Sequence, residues 1–306
     1  MRIRRKEIDV LGSARINEAT LLSEVNIEIS LLKGLDIFTN AHVQGVAKTT
    51  LAMCKKMNMS YEEIKKCVVA AYLHDIGKTK IPPEILQKTA KLTDEEYKEM
   101  KNHTIYGYEM CMNYPTFHKY AAIIRAHHEN LDGTGYPDGL KGDEIPPEAS
   151  LIKVADVYDA LTQRRQYKSG FARSEALSIM FKDVIDGKML ADYFEILILV
   201  VVDKISEEYE AHAINVLKLE NNLEILHELE RIYKQIYDMG LTPKLEKKLR
   251  KFELAPGYDM STNANLLIIK QKALEREKEA EKKCEAELSA ILKIKKELYK
   301  WNRVNR

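Results

Sequence analysis

Adjacent histidine and aspartate residues form the sharpest chemical signal in this 306-residue sequence. His74 and Asp75 follow an apolar stretch that begins near Ile64 and has the period of a helix. An imidazole beside a carboxylate can bind one metal ion through nitrogen while the carboxylate bridges to a second ion. An isolated pair of this kind is more often a helix-terminal histidine with a neighbouring capping acid, so the pair needs support from elsewhere in the chain.

That support comes from the other histidines. Six of the eight histidines lie between residues 42 and 128, and five of these are the candidates, namely His42, His74, His103, His127 and His128. Neighbouring residues on a helix project about 100° apart, so His127 and His128 reach one cluster only if it lies deep against their helix. Burying imidazoles without partners costs roughly 1–3 kcal/mol for each unsatisfied group. Asp156 follows an apolar helical face and would be an unpaired buried charge without a cation. Together these residues predict a cation site.

Four motifs follow one another along the chain. They are His74-Asp75-Ile76-Gly77-Lys78, then His103, then the segment from His127 to Pro137, and then the segment from Val154 to Thr162. In this order they resemble the HD-GYP family of cyclic di-GMP phosphodiesterases over about residues 35 to 203, and the Gly135-Tyr136-Pro137 signature is intact. Elsewhere the match is looser. The family's Lys-Pro-Gly-Lys-Leu appears as Lys88-Thr89-Ala90-Lys91-Leu92, its Arg-Pro-Tyr-Arg appears as Arg165-Gln166-Tyr167-Lys168, and its Phe-Asp-Pro is missing.

The resemblance implies a site for two divalent metal ions. One ion would be held by His42, His74, Asp75 and Asp156, and the other by Asp75, His103, His127 and His128. Asp75 would then bridge the ions, and a hydroxide that they activate would attack phosphorus in line. Imidazole and carboxylate ligands without thiolate suit iron or manganese, with zinc, nickel or cobalt as substitutes. Some family members hold a third ion through a glutamate at the position of Phe38. Because a phenyl ring offers no oxygen ligand, we expect two ions here.

The same resemblance supplies candidate catalytic and substrate-binding residues. Asp75 and Lys78 would be catalytic, and the predicted substrate contacts are Lys78, Asp132, Gly135, Tyr136, Pro137, Arg165 and Lys168. Lys78 could pair with a phosphate oxygen or simply complement a helix dipole. Arg165 suits a phosphate or a guanine edge, whereas Lys168 could equally belong to a solvated basic turn.

The predicted function is hydrolysis of cyclic di-GMP to linear pGpG, to GMP, or to both. One alternative is a receptor or scaffold that binds the dinucleotide without turnover, although the seven expected ligands are all present. A second alternative is an HD hydrolase of another nucleotide, such as cyclic GMP-AMP.

Helical periodicity with Gly and Pro punctuation, and no alternating strands, predicts an all-α HD-type bundle. We expect a lead-in helix in residues 1–34, the phosphodiesterase domain in 35–203 and a helical, partly coiled-coil-like extension in 204–306. Helices are predicted to start at Thr39 or Asn40, at Ser60 and at Thr93. The helix that starts at Thr93 is expected to carry His103. Residues 132–147 contain four glycines and three prolines and predict a long loop, either ordered or disordered. The C-terminal helices could pack within the chain or form a homodimer.

Composition excludes some partners. Lysine and arginine number 48 against 47 acidic residues, so bulk nucleic acid is not an expected partner. The four scattered cysteines fit reduced thiols and a cytoplasmic location. The sequence contains no stretch of about 18 apolar residues, so we expect no membrane span.

Overall fold

The computed structural model describes residues 17–30, 41–163, 170–254 and 258–305. Within these ranges the chain is built from helices and turns, without a β-strand, and this confirms the all-α prediction. The α-helices are α1 (Glu18–Ser30), α2 (Ala41–Lys56), α3 (Tyr61–Leu73), α4 (Pro83–Leu86), α5 (Asp94–Lys101), α6 (His103–Met112), α7 (His118–Ala126), α8 (Pro147–Thr162), α9 (Arg173–Ile185), α10 (Ala191–Met239), α11 (Pro243–Leu249) and α12 (Met260–Asn305). Short 3₁₀ helices span Ile76–Lys80, Pro115–Phe117, Gly142–Glu144 and Arg250–Phe252.

The chain divides into two compact units. The first, here called the histidine unit, comprises residues 1–201 and 291–306, and the second, the extension unit, comprises residues 202–290. Helix α10 continues without a break through the predicted boundary at residues 203 and 204. The predicted domain limits therefore stay a prediction.

Helix α3 is the centre of the histidine unit. It is apolar around most of its circumference, and Ile64, Cys67, Val68, Ala70 and Leu73 are fully buried. A helix with this pattern must be covered on several sides. Helices α2, α7 and α8 pack against it, and this packing brings residues from four helices to the carboxyl end of α3.

Two of the predicted helix starts are confirmed in detail. Ser60 and Thr93 each accept a hydrogen bond from the backbone N–H three residues later, and the glutamate at that position bonds back to the cap. These capping boxes satisfy backbone donors that the first turn leaves free. The predicted starts at Thr39 and Asn40 lie outside the described residues.

One predicted helix is in fact two. Helix α5 ends at Lys101, Asn102 caps its carboxyl end, and His103 begins α6. The prediction that the helix started by Thr93 carries His103 is therefore wrong. The break places His103 two residues after the end of α5, where a backbone carbonyl of the last turn is within reach of its ring.

Residues 132–147 form an ordered loop. Asp132 and Lys141 pair as an isolated antiparallel bridge, and a 3₁₀ turn follows at Gly142–Glu144. Gly133 has a φ of 82°, and a Cβ atom at Gly135 would lie 2.2 Å from the backbone nitrogen of Asn130. Both glycines are therefore required by the path of the backbone.

The extension unit consists of long amphipathic helices, as predicted. Helix α10 ends just before Gly240, and Pro243 occupies the first position of α11, whereas the predicted break at Pro256-Gly257 lies outside the described residues. His212 and Glu277 form a hydrogen-bonded pair within this unit. Of all the helices in the described ranges, none combines the length and apolarity needed to cross a membrane.

Candidate metal centre

The structure brings the seven predicted metal ligands together at the carboxyl end of α3. His74 is the C-cap residue of that helix and Asp75 follows it. The other ligands come from the first turn of α2, the start of α6, the turn after α7 and the middle of α8, namely His42, His103, His127, His128 and Asp156. The ligand atoms form two groups, within each of which all of them lie within 4.8 Å of one another. We call these the His42 group, with His42, His74 and Asp156, and the His103 group, with Asp75, His103, His127 and His128.

Asp75 belongs to the His103 group and also approaches the His42 group. Its Oδ2 atom is 3.3 Å from Nε2 of His74 and 3.7 Å from Nε2 of His42. Its Oδ1 atom is 3.5 Å from Nε2 of His103. One oxygen therefore faces each group, which is the arrangement required of a bridging carboxylate.

Buried polar atoms in this centre are left without partners. His74 is 1% exposed and Asp75 is 8% exposed. Nε2 of His74 and Oδ1 of Asp75 have no hydrogen-bond partner among the described residues. Buried polar atoms are nearly always satisfied in folded proteins, and an unsatisfied atom calls for an ion, a water or a ligand. Nitrogen and carboxylate donors in this number fit a pair of divalent metal ions.

Three of the predicted ligand histidines are oriented in the same way. The Nδ1 atoms of His74, His103 and His127 lie 2.6 Å, 2.7 Å and 2.6 Å from the carbonyl oxygens of Ala71, Met100 and Ile124. Because a carbonyl can only accept, each Nδ1 carries the proton and donates, so each Nε2 lone pair points to the centre. Each histidine comes one or two residues after a helix end, where carbonyls lack helical partners.

The His127-His128 doublet reaches the centre differently from the prediction. Helix α7 ends at Ala126, and the two histidines form a turn beyond it. Their ring centroids are 4.1 Å apart and the rings are tilted by 42°. The expectation that both project from one helix is wrong, because the chain leaves the helix before the doublet and can turn both rings to one side.

Comparison with known proteins identifies the domain. A family model described as "HD domain" matches residues 26–187, which is more than half of the chain. The chain belongs to the HD domain family. This membership agrees with the site, because the adjacent His74 and Asp75 lie at the junction of the two ligand groups.

Three curated bacterial relatives of this HD domain protein are informative. It is 39% identical over 145 residues to the cyclic di-GMP phosphodiesterase response regulator RpfG of Xanthomonas campestris, covering 47% of this chain and 38% of that protein. It is 41% identical over 143 residues to a cyclic di-GMP phosphodiesterase of Thermotoga maritima, covering 46% and 39%. It is 34% identical over 164 residues to 3′3′-cGAMP-specific phosphodiesterase 1 of Vibrio cholerae, covering 53% and 37%. These matches confirm the predicted HD-GYP resemblance, and the chain spans less than half the length of each relative.

His42 and the histidines of the His103 group differ in the direction in which their pKa values are shifted. Burial lowers the pKa of His128 to about 3 and lowers the pKa values of His103 and His127. Burial also acts to lower the pKa of His42, but hydrogen bonds to Asp156 and Asp159 outweigh it and raise that pKa to about 9. The His103 group thus holds neutral imidazoles, the form that binds metal.

Sequence reasoning gave no role to Asp159. Its Oδ2 atom is 2.7 Å from Nδ1 of His42, and Asp159 is 8% exposed. A signal was present, since Asp159 lies three residues after Asp156 and therefore on the same face of α8. Nothing in the spacing, however, indicates which ligand it meets.

The predicted substrate residues have mixed outcomes. Nζ of Lys78 donates to Oδ2 of Asp75 at 2.6 Å, so in this structure Lys78 pairs with the carboxylate of Asp75. The ring of Tyr136 stacks on His128 with centroids 4.8 Å apart. Oδ1 of Asp132 accepts from the backbone and the hydroxyl of Thr134, which orders the loop before Gly135 and Pro137. Arg165 and Lys168 lie outside the described residues.

Two further residues hold the loop, and sequence reasoning assigned neither this task. Oε1 of Glu129 accepts from the backbone N–H groups of Asp138 and Gly139 at 2.7 Å and 3.1 Å. Nζ of Lys153 donates to the carbonyl oxygen of Glu129 at 2.6 Å and to Oδ1 of Asn130. These contacts fix the chain directly after the His127-His128 doublet and so steady both ligands.

Proposed function

We propose that this HD domain hydrolyses a phosphodiester bond of a cyclic dinucleotide, with cyclic di-GMP as the substrate and pGpG, GMP or both as products. The observation that carries the proposal is Asp75, whose two carboxylate oxygens face separate groups of buried ligand atoms. The names of relatives in Xanthomonas and Thermotoga support the choice of substrate.

Two divalent ions, iron or manganese in our proposal, would be held by the seven ligands, and when bound they would activate water and neutralise phosphate oxygens. The protein's own contribution is orientation. Backbone carbonyls fix the rings of His74, His103 and His127 so that Nε2 of each points inward. Burial keeps bulk water from competing for these atoms.

Lys78 supplies a positive charge beside the reacting group in this proposal. Its side chain is 35% exposed while its ammonium group contacts Asp75. It can therefore contact an incoming phosphate oxygen from its place beside the central carboxylate. Tyr136, already stacked on His128, is the side chain proposed to contact a base of the substrate.

Product analysis tests the proposal. Protein loaded with Mn²⁺ or anaerobically with Fe²⁺ is incubated with cyclic di-GMP, 3′3′-cGAMP, cyclic di-AMP and linear dinucleotides, and the products are separated by chromatography. Preferred cleavage of cyclic di-GMP supports the proposal. Preferred cleavage of 3′3′-cGAMP would assign the domain to the substrate named for the Vibrio relative, and binding without cleavage would make it a receptor.

Compartment and assembly belong to the same proposal. The four cysteines are free in this structure, which supports a reducing cytoplasmic environment. We propose that the C-terminal helices mediate a homodimer, and sedimentation equilibrium of the purified chain tests this directly.

A further inference from the structure

His42 differs from three other ligand histidines in the group that holds its second ring nitrogen. His74, His103 and His127 donate to neutral backbone carbonyls. His42 instead places Nδ1 2.7 Å from a carboxylate oxygen of Asp159. A hydrogen bond to an ionised acceptor is roughly twice as strong as one between neutral groups, and it makes the ring a more basic ligand.

The position of Asp159 is built by two helices. Asp159 lies one turn after the ligand Asp156 on α8, and α8 packs against α2. Gly45 lies one turn after His42 on α2, and a Cβ atom there would be 1.9 Å from Oδ1 of Asp159. The absence of a side chain at Gly45 therefore makes room for the carboxylate beside the ring of His42.

The carboxylates around the two groups are unequal. The His42 group contains Asp156, has Asp159 behind it and faces Oδ2 of Asp75. The His103 group contains one carboxylate, Asp75, and three imidazoles. The ammonium group of Lys78 pairs with Oδ2 of Asp75 and removes part of this difference. Two carboxylates, Asp156 and Asp159, still contact His42 directly, in a buried place where charges interact strongly.

We infer that Asp159 is a positioning residue that makes the ion at the His42 group the more tightly held of the two. This inference rests on the two-ion site proposed above. Asp159 acts through His42, by fixing the Nδ1–H tautomer and aiming Nε2 at the ion, and does not touch the reacting atoms. A hard cation such as Mn²⁺ should feel the difference most, because it prefers oxygen and negative charge.

The test is a titration of metal-free protein with Mn²⁺ alone, followed by calorimetry and by electron paramagnetic resonance of the free ion. The wild-type chain should bind two ions in two steps. Asp159→Asn should weaken the tighter step by about 10- to 100-fold, the usual effect of losing an outer-shell partner, and leave the weaker step within about threefold. His103→Ala should remove the weaker step and thereby assign it. Asp186→Asn, which changes an exposed acid in the same unit, should alter neither step.

A second variant tests the same contact with the carboxylate retained. Gly45→Ala adds a methyl group where Asp159 lies, so it should weaken the tighter step as Asp159→Asn does. It replaces Asp159→Asn in the test if circular dichroism shows that Asp159→Asn folds poorly. The inference is overturned if a folded variant of either kind binds two ions with the wild-type constants, or if only the weaker step changes. A wild-type chain that binds fewer than two ions would instead overturn the proposed two-ion site.

Discussion

Both units of this protein place a histidine beside an acidic residue, with opposite consequences. In the extension unit, Nδ1 of His212 lies 2.7 Å from Glu277, and their side chains are 31% and 28% exposed. The hydrogen bond from His212 holds the pKa of Glu277 below its usual value. In the histidine unit, His74 and Asp75 are adjacent and buried, and each has a polar atom without a partner among the described residues.

A histidine beside an acidic residue therefore does not by itself identify a metal site. Water can reach His212 and Glu277, so their polar atoms are satisfied whether or not they pair. Nε2 of His74 and Oδ1 of Asp75 are removed from water, and each orphaned atom would cost roughly 1–3 kcal/mol in the folded state if nothing bound it. Function is indicated where several such atoms face one another.

The largest expected effect comes from replacing the central carboxylate. Asp75→Asn should lower turnover by more than about 100-fold. Even the loss of a residue that only hydrogen-bonds to a metal ligand typically lowers metal affinity or activity by about 10- to 100-fold. The substitution should also lower the bound metal, because a neutral amide cannot bridge two cations. Steady-state rates and elemental analysis of the folded variant measure both quantities. Wild-type turnover with full metal content would refute the bridging role.

Metal removal should have the next largest effect. Ions present at about 100 times their dissociation constant stabilise a protein by roughly 2.7 kcal/mol for a single site. With an unfolding entropy of about 2.1 cal/mol/K per residue, chelation should therefore lower the unfolding midpoint by about 4 °C for one ion and about 8 °C for two. Calorimetry with and without chelator measures the shift, and Asp75→Asn should show a smaller one. Equal midpoints for the metal-loaded and the metal-free wild type would contradict the binding of two metal ions in a buried site.

Glu129→Gln tests whether one buried polar atom without a partner is enough to indicate a metal ligand. Glu129 is 2% exposed and its Oε2 atom lacks a partner among the described residues, yet Glu129 belongs to neither ligand group. Glutamine keeps an oxygen to accept from Asp138 and Gly139. We expect unchanged metal content and at most a few-fold change in KM. Loss of one ion, seen by elemental analysis, would make Glu129 a ligand.

The smallest effect is expected in the extension unit. Glu277→Gln makes the same acid-to-amide change beside a histidine as Asp75→Asn makes in the centre. Because the pair is partly exposed, turnover and metal content should match those of the wild type. A loss of either property would show that the comparison between the two units is mistaken.

The all-helical fold could be predicted from the sequence because helical periodicity and capping boxes are local signals. The seven proposed ligands could be predicted because they lie in short motifs that follow one another in a recognisable order. The sequence could not predict the break at Asn102 or the end of α7 before His127, since both depend on tertiary packing. Asp159 was missed because its partner His42 is 117 residues away. Which carboxylate supports which ring is decided only when α2 and α8 pack together.

The metal content of the unmodified chain decides whether the two groups bind two ions. Protein purified anaerobically and measured by elemental analysis should contain two divalent ions per chain, bound by the His42 and His103 groups. Phe38 lies outside the described residues, and Phe38→Glu, which restores the glutamate expected at this position from the HD-GYP resemblance, serves as the comparison variant. Two ions in the unmodified chain is the predicted result. One ion, none, or three tightly bound ions would contradict the two-metal centre proposed here.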